Sequence, residues 1–226
     1  MSGDPEAVLR AGLATLHLSL SGGQVRQLLD YQNLIGKWNK VYNLTAVRDP
    51  AEMLTHHLLD SLAAVEPLQK YLQGRGLSAP SLLDVGSGAG LPGVVLAICC
   101  PGLAVTCVDT VGKKAAFIKH VALALGLPNL SGLHARVETI TQPFDVICSR
   151  AFASLADFAG WSQAALSPGG VWMALKGKHP AEELAMLPPD VAMFHVELLA
   201  VPGLAAERCI IWLQKNRVTG RDRCLS

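Results

Sequence analysis

The sequence predicts an α/β fold: a Rossmann-like, seven-stranded, mostly parallel sheet with an antiparallel strand at its edge, preceded by an N-terminal helical extension. Three observations predict it. An apolar run (Leu82, Leu83, Val85) leads into the stretch Asp84-Val85-Gly86-Ser87-Gly88-Ala89-Gly90-Leu91-Pro92-Gly93, and a helix-like run over 94–98 leads out. Strand, glycine loop and helix is the arrangement in which backbone N–H groups and a helix N-terminus face a ligand. From residue 82 onward strand-like and helix-like runs alternate, which implies parallel strands covered on both faces. The last two β-rich runs, 194–201 and 209–213, have no helix between them, so they read as an edge hairpin whose last strand runs antiparallel.

The elements follow in order. Val8, Leu9, Leu13 and Leu16 give a short helical pattern within 5–20. Ser21 has the character of an N-cap for a longer helix over 23–41. Leu28, Tyr31, Leu34, Ile35, Trp38, Val41 and Tyr42 recur there at spacings of three and four and share one face. Trp38 and Tyr42 are read as part of a core face with Lys37 and Lys40 solvated beside them; an aromatic and basic RNA surface is the other reading of the stripe. Residues 43–50 form a loop by composition. Asp49-Pro50 with Glu52 starts a helix carrying Met53, Leu54, His57, Leu58, Asp60, Ser61, Leu62 and Val65, with Pro67 weakening its last turn. His56 and His57 are adjacent and point to different faces, whereas a helical metal pair needs a spacing of four, so His57 is read as a hydrogen-bonded packing residue. Residues 74–80 form a linker. It divides the chain into a helical extension (1–80), a main domain (81–217) and a basic tail (218–226). In the main domain strands fall at 82–85, 104–108, 130–134, 144–148 and 171–175, with helices over 93–100, 112–125 and 155–166 and a short turn at 137–140. Gly126 ends a helix, and Pro168-Gly169-Gly170 makes a sharp turn into the fifth strand.

Half of the 226 residues are hydrophobic and 16% are charged, enough for a sizeable core, and with aromatics at 5% that core is mostly Ala, Leu and Val. Charges, Pro or Gly interrupt every apolar run before membrane-spanning length, and the first ten residues lack the pattern of a signal peptide, so a soluble cytoplasmic protein is expected. The six cysteines include no C-x-x-C pair and five lie in apolar stretches. They are read as buried reduced thiols rather than a zinc site or disulfides, and no metal is expected. Net charge is +1, and residues 1–80 balance seven Lys/Arg against seven Asp/Glu, so an RNA-binding surface must come from local arrangement.

The loop points to a nucleoside-type cofactor. Gly86, Gly88 and Gly90 permit a tight turn and close approach of a ligand to backbone. Gly88 to Gly93 matches G-x-G-x-x-G, and Asp109 ends the second strand 21 positions after Gly88 and 23 after Gly86, where it can accept from ribose hydroxyls in either frame. That spacing leaves NAD and S-adenosylmethionine both open, so an NAD-dependent oxidoreductase is the alternative reading. Asp84 favours S-adenosylmethionine, because an acid there suits an ammonium group and sits poorly beside a pyrophosphate. A single nucleotide-binding half and the edge hairpin after a Pro-Gly-Gly turn point the same way.

The segments Lys37-Trp38-Asn39-Lys40-Val41-Tyr42-Asn43-Leu44-Thr45, Arg48-Asp49-Pro50, Glu52-Met53-Leu54 and His57 with Leu59-Asp60-Ser61 come before the glycine loop. Ser149-Arg150-Ala151-Phe152-Ala153-Ser154-Leu155, Pro168-Gly169-Gly170 and Ala174-Leu175-Lys176-Gly177 follow it. In this order they resemble the bacterial ribosomal RNA small-subunit methyltransferase G family, also called glucose-inhibited division protein B. The resemblance implies a class I S-adenosylmethionine-dependent methyltransferase that methylates N7 of one guanine in 16S ribosomal RNA, with an assembled or partly assembled small subunit (30S) as partner. It places cofactor contacts at Gly86, Leu91, Val137, Glu138 and Arg150, with Asp109 as the ribose-binding acid; Asp84 and Gly88 join them from the loop. Val137 stands where a small residue is common, Cys99-Cys100 is unusual, and the tail beyond Arg217 is extra.

Guanine N7 has an in-plane lone pair and no proton, so a transfer to it needs alignment rather than a general base. Arg150 and Lys176 both follow strands at the sheet's C-terminal edge and are the candidate catalytic residues flanking the target; a solvated strand-end lysine is the other reading of Lys176. The Arg150 fork suits the cofactor carboxylate or guanine O6. Phosphate contacts are expected from Arg48, Lys113, Lys114, Lys119, Arg136, Lys178 and the tail; a solvated helix face is the other reading of Lys119. A monomer without membrane contact is expected.

Overall fold

The computed structural model describes residues 4–150, 152 and 154–216; Cys224 and the tail basics Arg217, Arg221 and Arg223 lie outside them. Polar caps set the early helices. Asp4 caps α1 (Pro5–Thr15) by accepting the Glu6 N–H. Ser21 and Gln24 close a reciprocal capping box on α2 (Gly22–Tyr42), one residue longer at each end than the apolar stripe predicts. Asp49 caps α3 (Pro50–Met53), which runs through a π-helical turn (Leu54–Leu59) into α4 (Asp60–Leu62). A further helix, α5 (Val65–Arg75), begins where the sequence reading expected a weak end. Pro67 lies in its first turn, where a missing N–H costs nothing, and Gly76 ends it in the left-handed conformation.

From Ser81 the chain alternates: β1 (Ser81–Val85), α6 (Gly93–Cys99), β2 (Ala104–Asp109), α7 (Gly112–Ala124), β3 (Leu130–His134), a 3₁₀ turn (Val137–Thr139), β4 (Phe144–Ser149), α8 (Leu155–Ser162), a second 3₁₀ turn (Gln163–Ala165) and β5 (Leu166–Lys176). A short α9 (Ala181–Ala185), absent from the sequence reading, precedes the hairpin β6 (Val191–Leu199) and β7 (Arg208–Lys215). The sheet order is β3-β2-β1-β4-β5-β7-β6. The first five strands pair in parallel. The hairpin closes the sheet at one edge, with β7 inserted antiparallel between β5 and β6. Pro168-Gly169-Gly170 does not precede the fifth strand but bulges within it. Phe144 faces Leu166 and Val146 faces Val171, so the intervening β5 residues are extruded at Gly169, whose φ is 76°.

Each face of the sheet has its own core. Leu83, Val85, Val108, Ile147, Phe158 and Trp172 pack on one side with α8. On the other, Leu82, Val105, Val146 and Met173 pack beneath α6 and α7, and the N-terminal helices join the same core through Leu9, Leu28, Tyr31, Ile35, Leu58 and Leu68. All seven residues of α6 are buried. A helix apolar on every side needs cover on every side, and α2 and α4 supply what the sheet does not. Polar side chains of α2 fix that cover: Gln24 Nε2 donates to Ile98 O at 2.9 Å, Gln27 Nε2 to Leu125 O at 2.8 Å, and Tyr31 Oη to Ala89 O at 2.7 Å. Trp38 is half-buried against Phe117 and His120, as the core reading expects, but Val41 is 71% exposed and Tyr42 lies at the surface. The apolar stripe therefore runs past the end of its partner. Cys99, Cys107, Cys148 and Cys209 are buried free thiols and Cys100 is half-buried. No helix among the described residues is long and apolar enough to cross a membrane.

Candidate functional site

Strand order reverses between β1 and β4, and parallel sheets bind ligands at the C-terminal ends of the strands where that happens. Two cavities open there. The first, about 370 Å³, lies over β1, β2 and β3 and is lined by Val85, Gly86, residues 108–111, Lys114, residues 135–138, Phe152 and Trp161. The second, about 390 Å³, lies over β4, β5 and the start of β7. Its lining includes His56, His57, Asp60, Arg150, Lys176 and Arg208. Both volumes suit small-molecule groups.

The first cavity is built from the glycine loop. Gly86 turns at φ 66° against the cavity, and its amide donates to Val108 O at 2.9 Å, tying the loop to β2. Gly90 sits at φ 93°, where a Cβ would come within 2.5 Å of both Ile118 and Val94 side chains, so only glycine fits. Asp109 is 6% exposed at the end of β2. Its Oδ2 accepts the Gly88 N–H at 3.0 Å and its Oδ1 the Val111 N–H at 2.8 Å, with Lys114 Nζ 3.6 Å from Oδ2. These bonds aim the carboxylate and leave each oxygen a lone pair for a ribose hydroxyl. Val137 is buried in the same core as Val108 and also lines the cavity. Arg136 pairs with Glu138 at 2.7 Å on the rim and holds the Glu138 carboxyl below its ordinary range.

Asp84 lies under the loop rather than in the cavity. It points with Leu82 to the face covered by α6, is fully buried, and accepts the Gly93 N–H on Oδ2 at 2.8 Å. Oδ1 is buried without a hydrogen-bond partner among the described residues, and the Cys148 thiol lies beside the carboxyl. Burial pushes the carboxyl up to about 7, against the pull of the Gly93 amide and of the Arg150 charge. The aimed Asp109 carboxylate beside the glycine loop makes the cavity residues a match for an adenosyl cofactor. Leu91 is buried in the core and lines neither cavity.

The second cavity is organised by one acid. Asp60 is 5% exposed; its Oδ2 meets Arg150 Nη1 at 3.2 Å and its Oδ1 accepts Arg208 Nε at 2.7 Å. Arg150 Nη1 also donates to His56 O at 3.0 Å. The π-helical turn makes this possible, because the Asp60 amide bonds to Thr55 O five residues back and leaves His56 O to the arginine. His57 is held as a packing residue by Thr45 Oγ1 at 2.8 Å from Nε2, and burial lowers its pKa. Lys176 Nζ is bound by both carboxylate oxygens of Glu183 at 2.8 and 3.0 Å, so it enters the cavity as half of an ion pair.

The structure thus brings Gly86, Asp109, Lys114, Arg136, Val137 and Glu138 together at one cavity and Arg150 and Lys176 at the other. Arg48, Lys113 and Lys178 are exposed beside the cavity residues Val47, Lys114 and Gly177. The sequence reading gave no site role to Asp60, Arg208, Phe152 or Trp161. Asp60 and Phe152 lie inside segments that carry the family resemblance, the one signal for either, and Trp161 reads as any aromatic on a helix.

The family described as rRNA small subunit methyltransferase G matches the chain over residues 24–211. A ribosomal RNA small subunit methyltransferase G of Polaromonas sp. strain JS666 is 72% identical over 220 residues, covering 96% of this chain and 97% of that one. One from Acidovorax sp. strain JS42 is 64% identical over 214 residues, covering 92% and 95%. Among solved structures, an S-adenosylmethionine-dependent methyltransferase from Aquifex aeolicus superposes with a TM-score of 0.52 at 19% identity, covering 73% of this chain and 97% of that one. TrmN from Thermus thermophilus does so at 0.51 and 23%, covering 72% and 53%. These two bear on the fold, a class I methyltransferase sheet. Sequence match and site geometry agree, and the chain belongs to the rRNA small subunit methyltransferase G family.

Proposed function

We propose that this chain transfers the methyl group of S-adenosylmethionine to N7 of one guanine in 16S rRNA of the small ribosomal subunit. The observation that carries the reading is the pair of cavities flanking the β1–β4 switch point. One is aimed at an adenosyl group by Asp109; the other presents Arg150 from the adjoining strand end. When bound, S-adenosylmethionine supplies an electrophilic methyl carbon. The chain's own task is then alignment. Gly86, Gly88, Asp109, Val137 and Glu138 hold the cofactor, and Asp84 holds the loop from beneath through the Gly93 amide. Arg150, fixed by Asp60 and His56, orients the base through O6 and leaves N7 open. In the transfer a carbon–nitrogen bond forms as the carbon–sulfur bond breaks, and no proton leaves N7. The buried neutral His57 is therefore not needed as a base, and the chemistry calls for no metal. Lys176, neutralised by Glu183, shapes the pocket wall. Arg48, Lys113, Lys114, Arg136 and Lys178 are assigned to RNA phosphates, and the chain to a cytoplasmic monomer.

Labelled methyl transfer to 30S particles and to naked 16S rRNA from cells lacking the protein, followed by mapping of the modified nucleotide, tests this. One N7-methylguanosine is expected; a label on another atom or on protein would overturn the reading. The rival of a nicotinamide oxidoreductase is at odds with the family membership, and stabilisation in a thermal melt by NAD but not by S-adenosylmethionine is the result that would revive it.

A further inference from the structure

Among the described residues Asp60 is the only acidic side chain lining the second cavity, beside two arginines, a lysine and two histidines. It is almost wholly buried, yet neither oxygen is spent on its own helix. One meets an arginine 90 residues away, the other an arginine 148 residues away. We infer that Asp60 is a positioning residue, whose carboxylate holds the Arg150 and Arg208 guanidiniums side by side at the acceptor cavity and offsets their charge as the base becomes cationic. The inference rests on the methyltransferase reading of that cavity.

The bonds divide the work. Among the described residues Arg150 gives only Nη1 to the protein, shared between Asp60 and the His56 carbonyl, so its Nε and Nη2 edge stays available to a substrate. Arg208 gives Nε to Asp60 and Nη1 to Glu207 O, which leaves Nη2. Two guanidiniums at one small cavity repel each other, and without a shared anion they would swing apart toward solvent. The carboxylate removes that cost before substrate arrives, and the π-helical turn fixes its position by directing Asp60 and the His56 carbonyl to the same arginine. Charge makes the second contribution. Transfer to N7 moves a positive charge from sulfur onto the base, into a cavity whose other charged lining groups are Arg150, Lys176 and Arg208. An anion fixed among them is favourable in the transition state and has little effect on binding a neutral guanine.

The test is steady-state methyl transfer by wild type, Asp60→Asn and Asp60→Glu, with S-adenosylmethionine affinity and melting temperature measured on each. For Asp60→Asn, kcat is expected to fall about 100-fold, as for a misplaced aligning group. KM for RNA should be unchanged or lower, because the cavity gains net positive charge, and cofactor affinity should stay within about threefold. For Asp60→Glu, which keeps the charge but displaces it by one methylene, kcat should fall about tenfold at wild-type melting temperature. If Asp60→Asn fails to fold, Asp60→Glu decides alone. Wild-type kcat in Asp60→Glu, or a kcat loss in Asp60→Asn matched by equal losses of cofactor binding and stability, overturns the inference. An inactive wild type would instead remove the methyltransferase reading beneath it.

Discussion

A carboxyl group that water does not reach, with one oxygen unpartnered, is an unstable arrangement unless something compensates it, and Asp84 is such a group. Its pKa rises from 3.8 in the unfolded chain to about 7 in the fold. Between those values the folded state holds a proton that the unfolded state has lost, so stability falls as pH rises through that window and levels off above it. The full effect is of order 4 kcal/mol, and urea titrations across the window should show the decline in the cofactor-free wild type and a much flatter profile in Asp84→Asn. Once cofactor and RNA are saturating, the single-turnover rate should be flat from about pH 6 to about pH 8, because N7 carries no proton. Trp161 offers an optical check on the cofactor site. It is 46% exposed in the cavity wall and meets Phe152 edge-on at 5.3 Å, whereas Trp172 and Trp212 are buried and Trp38 packs on α7. Cofactor binding should change tryptophan emission in the wild type and not in Trp161→Phe, and Trp161→Ala should weaken binding about tenfold through loss of aromatic contact.

At the scale of elements, the glycine loop depends on helix α2. Tyr31 reaches the loop at Ala89 O, is fully buried, and has its pKa raised well above the ordinary value mainly by that burial. Tyr31→Phe leaves the carbonyl without its partner; a cost of about 1–2 kcal/mol in unfolding experiments is expected, together with weaker cofactor binding because the loop loses its support from outside the sheet. We therefore treat the boundary at residue 80 as one of topology, since the helices before it share a core with α6. The alternation of strands and helices was legible in the sequence because buried parallel strands are short apolar runs and their crossover helices carry their own spacing. Leu130–His134 was placed to the residue. α5 was not legible, because Pro67 reads as a breaker unless its position in a first turn is known, and α9 was too short to show a period. The bulge at Gly169 reads locally as a turn, and only its pairing with β4 makes it part of β5. The same limit applied to the site. Gly86 and Asp109 are close in sequence and in a recognisable order, but nothing local links Asp60 to Arg208, and the contact exists only because β7 returns beside β5.

For the whole molecule, a net charge of +1 means that RNA is not attracted by bulk charge, so affinity must come from where the cations stand. Lys114 is engaged by Asp109, and Arg136 by Glu138. Arg48 and Lys178 are exposed next to residues that line the acceptor cavity, and Lys113 opens α7 beside the cofactor cavity. If these side chains neutralise phosphates, each releases counterions, and the logarithm of the binding constant falls linearly with the logarithm of salt. Replacing Arg48 or Lys178 by Ala should then reduce that slope by about one and weaken binding to 16S rRNA at low salt. The rate at saturating RNA should be untouched, since neither side chain lines the acceptor cavity. Lys114→Ala separates the two kinds of cation. Its loss frees the Asp109 carboxylate, so the change is expected in cofactor affinity and the salt slope for RNA should move less than in Arg48→Ala. Filter binding over a salt series, run beside calorimetry with S-adenosylmethionine, measures both. A slope for Arg48→Ala equal to that of wild type would take Arg48 out of the RNA contact and shift the docking surface toward α7 and the cofactor rim.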